Sequence, residues 1–301
     1  MQTQPTTSDA GSAFARTRNA AMRLRFTKMH GLGNDFMVID LVTQRAQITP
    51  ELICAWADRR TGIGFDQLLM LEPPTHPESD FRYRIFNADG AEVEQCGNGA
   101  RCIARFIFAQ QLSPKPVLWL ETNGGPIQVG LVGPDSVEVN MGVPELAPAR
   151  VPFDVSHARP VDGVSYGVHT TCGEVLVVPV SIGNPHAVVF VARLQDAQVA
   201  RLGAELQTHP AFPARVNVGF CEVVDVGMAR LRVFERGVGE TRACGSGACA
   251  AVVAGQLVGL LGGQVNIALP GGALQLAWSG PGNPISMVGP ASLVYEGQIE
   301  L

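Results

Sequence analysis

Lysine is almost missing from this chain: Lys28 and Lys115 are the only two, and Lys115 lies in the loop-like run SPKP. A pyridoxal-phosphate enzyme needs a lysine for its Schiff base, so that chemistry is disfavoured. The seven cysteines include no C-x-x-C pair, and their odd number and scatter argue against a disulfide framework, a zinc ribbon or a thioredoxin-type motif. Six histidines stand without metal-ligand spacing, so no metal is expected. GLGNDF, GIGFDQ and GVGETR each lack the third glycine of a dinucleotide fingerprint, and no G-x-x-x-x-G-K-[ST] occurs. No apolar run approaches the roughly 20 residues of a membrane helix, and the best candidate, Ala248 to Leu261, reads as a buried helix. A net charge of −5 offers nothing to nucleic acid or an anionic membrane. The cysteine usage points to a reducing cytosol with free thiols.

What is present suggests two copies of one domain. The first 22 residues are polar and small and read as a disordered extension, with order expected from Arg23; a start at Met22 would read the same way. Beyond it, FNADGAEVEQCGNGA (86–100) resembles FERGVGETRACGSGA (234–248), which sets Cys96 and Cys244 148 positions apart. Gly33-Asn34 matches Gly183-Asn184, Gly64-Phe65 matches Gly219-Phe220, and Gly124-Gly125 matches Gly271-Gly272, all in the same order. Short β-branched runs such as DFMVIDL, QLLML, FRYRIF, EVLVVPVSI, HAVVFV and ARLRVF recur between Gly, Pro and Asn clusters. Each half has two helices. Thr49-Pro50 is an N-cap and N1 proline before ELICAWADRR, with LQDAQVARLGAEL as its counterpart. The second helix of each half begins at C-G-x-G-A, and ACAAVVAGQLVGLL is apolar nearly all round, so it must be enclosed. The expected fold is α+β: two pseudo-symmetric domains, 23–143 and 144–290, each a mixed or antiparallel sheet around a central helix, with a C-terminal strand, 291–301, returning to the first.

A cysteine before a helix sits beside the first turn's unpaired N–H groups and the positive dipole end, which favour thiolate over thiol. The glycines let a carboxylate approach the same N–H groups. If the halves face each other across a pseudo-twofold axis, one sulfur lies on each face of a bound α-carbon. One thiolate can then take the α-proton while the opposite thiol delivers another, which is racemisation without a cofactor. Cys54, Cys102, Cys172, Cys221 and Cys249 sit in apolar stretches and read as buried.

FTKMHGLGNDF, DRRTGIGFDQ, FNADGAEVEQCGNGARC, GNPH, ERGVGETRACGSGAC and the tail LVYEGQIEL together resemble the signature blocks of the diaminopimelate epimerase family. The resemblance implies interconversion of L,L- and meso-diaminopimelate for lysine and peptidoglycan synthesis, with no cofactor. It implies Cys96 and Cys244 as the catalytic pair, with His186 and Glu235 beside them. The implied substrate-binding set is Asn34, Gln67, Asn87, Gly97, Asn98, Asn184, Asn217, Glu235, Arg236, Gly245 and Ser246. Tyr295 matches a dimer-interface tyrosine, which implies a homodimer. Amides and Arg236 suit a substrate charged at both ends.

Blander readings exist. The four asparagines 34, 87, 184 and 217 adjoin turns or strand ends, where asparagine is common for backbone reasons. His186 could be a turn histidine, Glu235 and Arg236 a surface pair, and Tyr295 a strand aromatic. Two rival functions also fit paired cysteines. A proline or hydroxyproline racemase would handle a substrate with one carboxylate, and a thiol switch would use Cys96 and Cys244 as a disulfide.

Overall fold

The structure is a computed structural model and describes residues 23–94 and 96–301. The extension over 1–22 lies outside the described residues. The first half runs β1 (Arg23–Gly31), β2 (Asn34–Asp40), α1 (Pro50–Ala57), β3 (Gln67–Glu72), β4 (Phe81–Asn87), β5 (Glu92–Val93) and α2 (Gly97–Ala109). It continues with β6 (Val117–Glu121), β7 (Ile127–Leu131) and β8 (Ser136–Asn140). Two short strands, β9 (Arg159–Pro160) and β10 (Tyr166–Thr170), come between the halves. The second half then repeats the series: β11 (Gly173–Ser181), β12 (Pro185–Phe190), α3 (Val199–Gln207), β13 (Asn217–Asp225), β14 (Met228–Glu235) and β15 (Gly239–Thr241). After these come α4 (Gly245–Leu257), β16 (Gln264–Leu269), β17 (Gly272–Trp278), β18 (Ile285–Pro290) and a closing β19 (Ser292–Glu300).

The pairing pattern is the same twice over. β1–β2 is antiparallel, β2–β3 parallel, β3–β4 antiparallel, β4–β6 parallel, and β6–β7–β8 antiparallel. β11–β12, β12–β13, β13–β14, β14–β16 and β16–β17–β18 follow suit, sense for sense. The fold is therefore a duplicated α+β architecture. Register refines the sequence matches: Phe36 lies opposite Gln67 and His186 opposite Asn217, so Gln67 and Asn217 are equivalent, 150 apart. The Gly64–Gly219 match is thereby corrected. Gly64 sits in a turn at φ +73°, whereas Gly219 lies inside β13, two residues past Asn217. The other glycine matches coincide with real turns, with φ +85° at Gly33 and +81° at Gly183.

β8 and β18 pair antiparallel with Val139 opposite Met287, which are themselves 148 apart. Equivalent residues thus face each other, and the pseudo-twofold axis passes through this pair. β19 pairs along β1, from Arg23↔Glu300 to His30↔Ser292.

Each half buries its sheet on both faces, which explains why strands such as β2 read as unbroken apolar runs. Phe36 and Val38 pack inward around α2, while Met37 and Ile39 pack outward on Ile53 and Trp56 of α1. In β12, Val188 joins the inner cluster while Ala187 and Val189 join Val199 and Leu206 of α3. α4 is enclosed as its composition demands: every residue from Ala248 to Ala254 is at 0% exposure. α1 begins at the expected cap, with the Thr49 hydroxyl accepting from Leu52 N at 3.4 Å.

Two expectations are corrected. LQDAQVARLGAEL is not one helix: a 3₁₀ turn, Leu194–Asp196, is separated from α3 by extended residues at Ala197 and a Gln198 that makes no side-chain cap. Cys54 and Cys172 are exposed, since Cys54 lies on the face of α1 opposite Ile53 and Trp56, and Cys172 in the β10–β11 turn. Among the described residues no helix is long and apolar enough to cross a membrane.

Candidate active site

Cys96 and Cys244 are the N-caps of α2 and α4, both in extended backbone, which aims each side chain back at its helix's first turn. The Gly99 N–H donates to Cys96 Sγ at 3.4 Å. The two first turns converge on the axis, for a Cβ on Gly97 or on Gly245 would each meet Met287 at 3.1 Å. Asn98 joins the halves directly, its Nδ2 donating at 3.2 Å to Asn34 Oδ1 and at 3.2 Å to the Ala243 carbonyl, one residue before Cys244.

A run of one-way hydrogen bonders fixes these amides. The Asp66 carboxylate only accepts, so Asn34 presents Nδ2 to it at 2.9 Å and turns Oδ1 toward Asn98 and, at 4.0 Å, toward Cys96 Sγ. Arg101 only donates, so Asn98 presents Oδ1 to it at 2.9 Å and keeps Nδ2 for Asn34 and Ala243. Asp66 is held by Arg59, which also grips Asp35, and Asp35 in turn pairs with the buried Lys28 at 2.6 Å. One of the chain's two lysines is therefore committed to an ion pair.

Around Cys244 the partners differ. Its sulfur lies 3.7 Å from Ser246 Oγ and feels the charge of Glu235, whose carboxylate accepts from Thr241 Oγ1. His186 Nε2 sits 3.0 Å from both Ser246 Oγ and Asn184 Oδ1, while its buried Nδ1 has no partner among the described residues. Burial, with Arg236 nearby, pushes His186 down to about 3, so it is neutral. Asn217 accepts from the Arg236 N–H at 2.8 Å and donates to the Pro185 carbonyl at 3.2 Å. Gln67 donates to Asn87 Oδ1 at 2.9 Å across β3–β4. The Arg236 guanidinium contacts the Ala214 carbonyl at 3.1 Å and is otherwise exposed. Tyr295 stands apart from these contacts, 44% exposed on β19 and edge-on to Phe26.

The expected thiolates do not appear. Burial pushes Cys96 up to about 11, against the lowering by the Gly99 and Asn98 N–H groups and Arg101, and Glu235 raises it further. Cys244 is pushed well up, by burial first and Glu235 second. Burial also raises Glu235 above the ordinary carboxylate range. The helix start acts in the anticipated direction, but desolvation outweighs it.

Arg101, Asp66, Thr241 and Tyr83 were not singled out by sequence. The first three stand in the quoted blocks CGNGARC, GIGFDQ and GVGETR, and an arginine among the apolar residues of a helix is the available signal for Arg101. Tyr83, inside the strand run FRYRIF, gives none. Among the described residues no group of three His, Cys, Asp or Glu is placed to hold a metal.

A profile of the diaminopimelate epimerase family matches residues 26–147 and 178–294. The chain belongs to this family. It is 54% identical to a diaminopimelate epimerase of Pseudomonas aeruginosa over 280 residues, 93% of this chain and all of the relative. A diaminopimelate epimerase of Pseudomonas fluorescens is 55% identical over the same share of each chain. Among solved structures, a hydroxyproline epimerase from Agrobacterium vitis superposes with a TM-score of 0.65 at 16% identity, covering 93% of each chain. A PhzF-family phenazine biosynthesis protein from Bacillus anthracis gives 0.64 at 14% identity, over 93% of this chain and all of that one. At such identities these two share the fold with this member of the epimerase family.

Proposed function

We propose that the chain epimerises L,L- and meso-diaminopimelate with Cys96 and Cys244 as an acid and base pair and no cofactor. The observation that carries this reading is the placement of both cysteines at the N-cap positions of symmetry-related helices whose first turns meet at Met287. A carboxylate seated on the N–H groups of Gly97, Asn98, Gly245 and Ser246 would lie on the pseudo-axis, presenting opposite faces of its α-carbon to the two sulfurs. Burial holds both sulfurs as thiols, so the substrate's α-ammonium would supply the positive charge that lets one ionise. The thiolate takes the α-proton, the facing thiol delivers its own, and the helix ends stabilise the charge that builds on the carboxylate. Glu235 accepts the Cys244 proton when that sulfur serves as base.

Asn34, Gln67, Asn87, Asn184, Asn217 and Arg236 form the binding set in this reading, with Arg236 free to meet the distal carboxylate. The halves act as domains 23–143 and 144–290, with 291–301 joined to the first. Tyr295 would lie at the interface of a cytoplasmic homodimer. The test is incubation with L,L-diaminopimelate in deuterated water under reducing conditions, expecting deuterium at the α-carbon and formation of the meso isomer. Exchange into proline but none into diaminopimelate would overturn the assignment. Turnover-free binding would favour a thiol switch.

A further inference from the structure

Arg101 is wholly buried, at 0% exposure, yet among the described residues its guanidinium meets no carboxylate. Its acceptors are Asn98 Oδ1 at 2.9 Å, the Pro290 carbonyl at 3.3 Å, the Gly97 carbonyl at 3.5 Å and Met287 Sδ at 3.5 Å. Glycines make its slot: a Cβ on Gly31 would come within 3.2 Å of Nη2, and one on Gly289 within 3.1 Å of Nε. A buried cation without a counter-charge is costly and is rarely left so unless the site supplies negative charge. Arginine also keeps its proton where a lysine would surrender it.

The ionisable groups that feel this charge are Cys96, Cys102 and Cys249. Cys102 and Cys249 are closed thiols at 0% exposure, which leaves Cys96 as the one that meets the site. The equivalent of Arg101 in the second half, 148 positions on, is Cys249. The guanidinium therefore bonds Gly97 and Asn98 of the α2 start and no residue of the α4 start, while the Glu235 charge raises both sulfurs. Two sulfurs that symmetry would make equal are thus unequally charged.

We infer that Arg101 is a positioning residue that assigns the first ionisation of the pair to Cys96, leaving Cys244 as the thiol. It acts in two ways: by its charge under the α2 start, and by turning Asn98 so that Nδ2 ties Asn34 to Ala243. The inference rests on the two-cysteine reading. Only a proton changes place: Cys96 loses one to solvent and Cys244 retains its own. The other titratable groups facing Cys96 are Glu235 of β14, Tyr83 of β4 and Cys102 of α2, and Glu235 also faces Cys244. None of these is a cation, so Arg101 is the one side chain among them that favours a thiolate at Cys96.

The test is the pH dependence of iodoacetamide alkylation, read separately at Cys96 and Cys244 by peptide mass spectrometry on the full chain. In Arg101→Gln the Cys96 midpoint should rise by about one pH unit and its rate at neutral pH fall about tenfold. The Cys244 midpoint should stay in place, and Arg101→Lys should raise the Cys96 midpoint likewise, because a lysine surrenders its proton in this slot. Should Arg101→Gln not fold, Asn98→Asp gives the guanidinium a carboxylate in the same place and should raise the Cys96 midpoint likewise. An unmoved Cys96 midpoint in the folded variant, or equal shifts at both cysteines, overturns the inference. Alkylation needs no turnover, so its failure is separate from a failure of the deuterium experiment.

Discussion

Each cysteine is a thiol made reluctant by burial and made useful by its neighbours. Because burial holds Cys96 near 11 and pushes Cys244 well up too, the thiolate fraction of the free protein grows with pH through the neutral range. The sign follows directly: the reactive form is the deprotonated one, and its pKa lies above the working pH. kcat/KM for diaminopimelate should therefore rise roughly tenfold per unit between about pH 6 and 8, as initial rates in a pH series would check. Cys96→Ser and Cys244→Ser should each lower kcat by at least about a thousandfold, since a hydroxyl is a far poorer base at neutral pH. Near-full turnover in either variant would exclude a two-base mechanism. Asp35 gives a stability prediction of the same grain. Its carboxyl is held well below the carboxylate range by hydrogen bonds from Arg59 and Lys28, which outweigh its burial. The stabilisation is thus complete above the unfolded pKa near 4 and is lost as pH falls below it. Asp35→Asn, which strands the buried Lys28, should cost about 3 kcal/mol in urea unfolding at neutral pH.

At the level of elements, α2 is seated on a side chain with nothing to bond. Tyr83 is fully buried on β4 and its hydroxyl has no partner among the described residues. A Cβ on Gly99 would come within 2.2 Å of that oxygen. Gly99→Ala should therefore cost about 1–3 kcal/mol and displace the first turn of α2, with a larger fall in kcat than in stability. Tyr83→Phe removes an unsatisfied oxygen and should be close to neutral. The double variant should be more stable than Gly99→Ala alone, and a urea double-mutant cycle measures that coupling. Much at this scale was legible beforehand. The Thr49 cap, the all-apolar α4 and the strand run FRYRIF, with Phe81, Tyr83 and Ile85 inward, each carry a local cause that a sequence displays. The two cysteines and their asparagines stood out for the same reason, since turn and cap chemistry is local. What was not legible is long-range. The broken helix before α3, the β8–β18 pairing and the contact of Arg101 with Pro290 depend on residues far apart in the chain. The resting protonation of the sulfurs depends on burial, which no helix-start rule contains.

Taken whole, the halves share one core. A single apolar cluster runs from Phe36 and Ile103 around α2 to Val252 and Leu276 around α4, while α1 and α3 cap separate outer clusters. With the inner cluster continuous and Asn98 bridging to Ala243, the halves should not melt independently. Calorimetry should give one transition with van't Hoff and calorimetric enthalpies that agree; two resolved transitions would contradict a common core.

Val139 facing Met287 has a meaning for ancestry. A strand that pairs antiparallel with its own counterpart about a twofold axis is how two identical subunits join edge to edge. The molecule has the form of a primordial dimer whose partners were fused into one gene product. Identical partners must carry the same residue at matched positions, so every innovation is made twice. Fusion lifts that constraint, and this chain uses the freedom where it matters: phenylalanine against histidine at 36 and 186, asparagine against glutamate at 87 and 235, arginine against cysteine at 101 and 249.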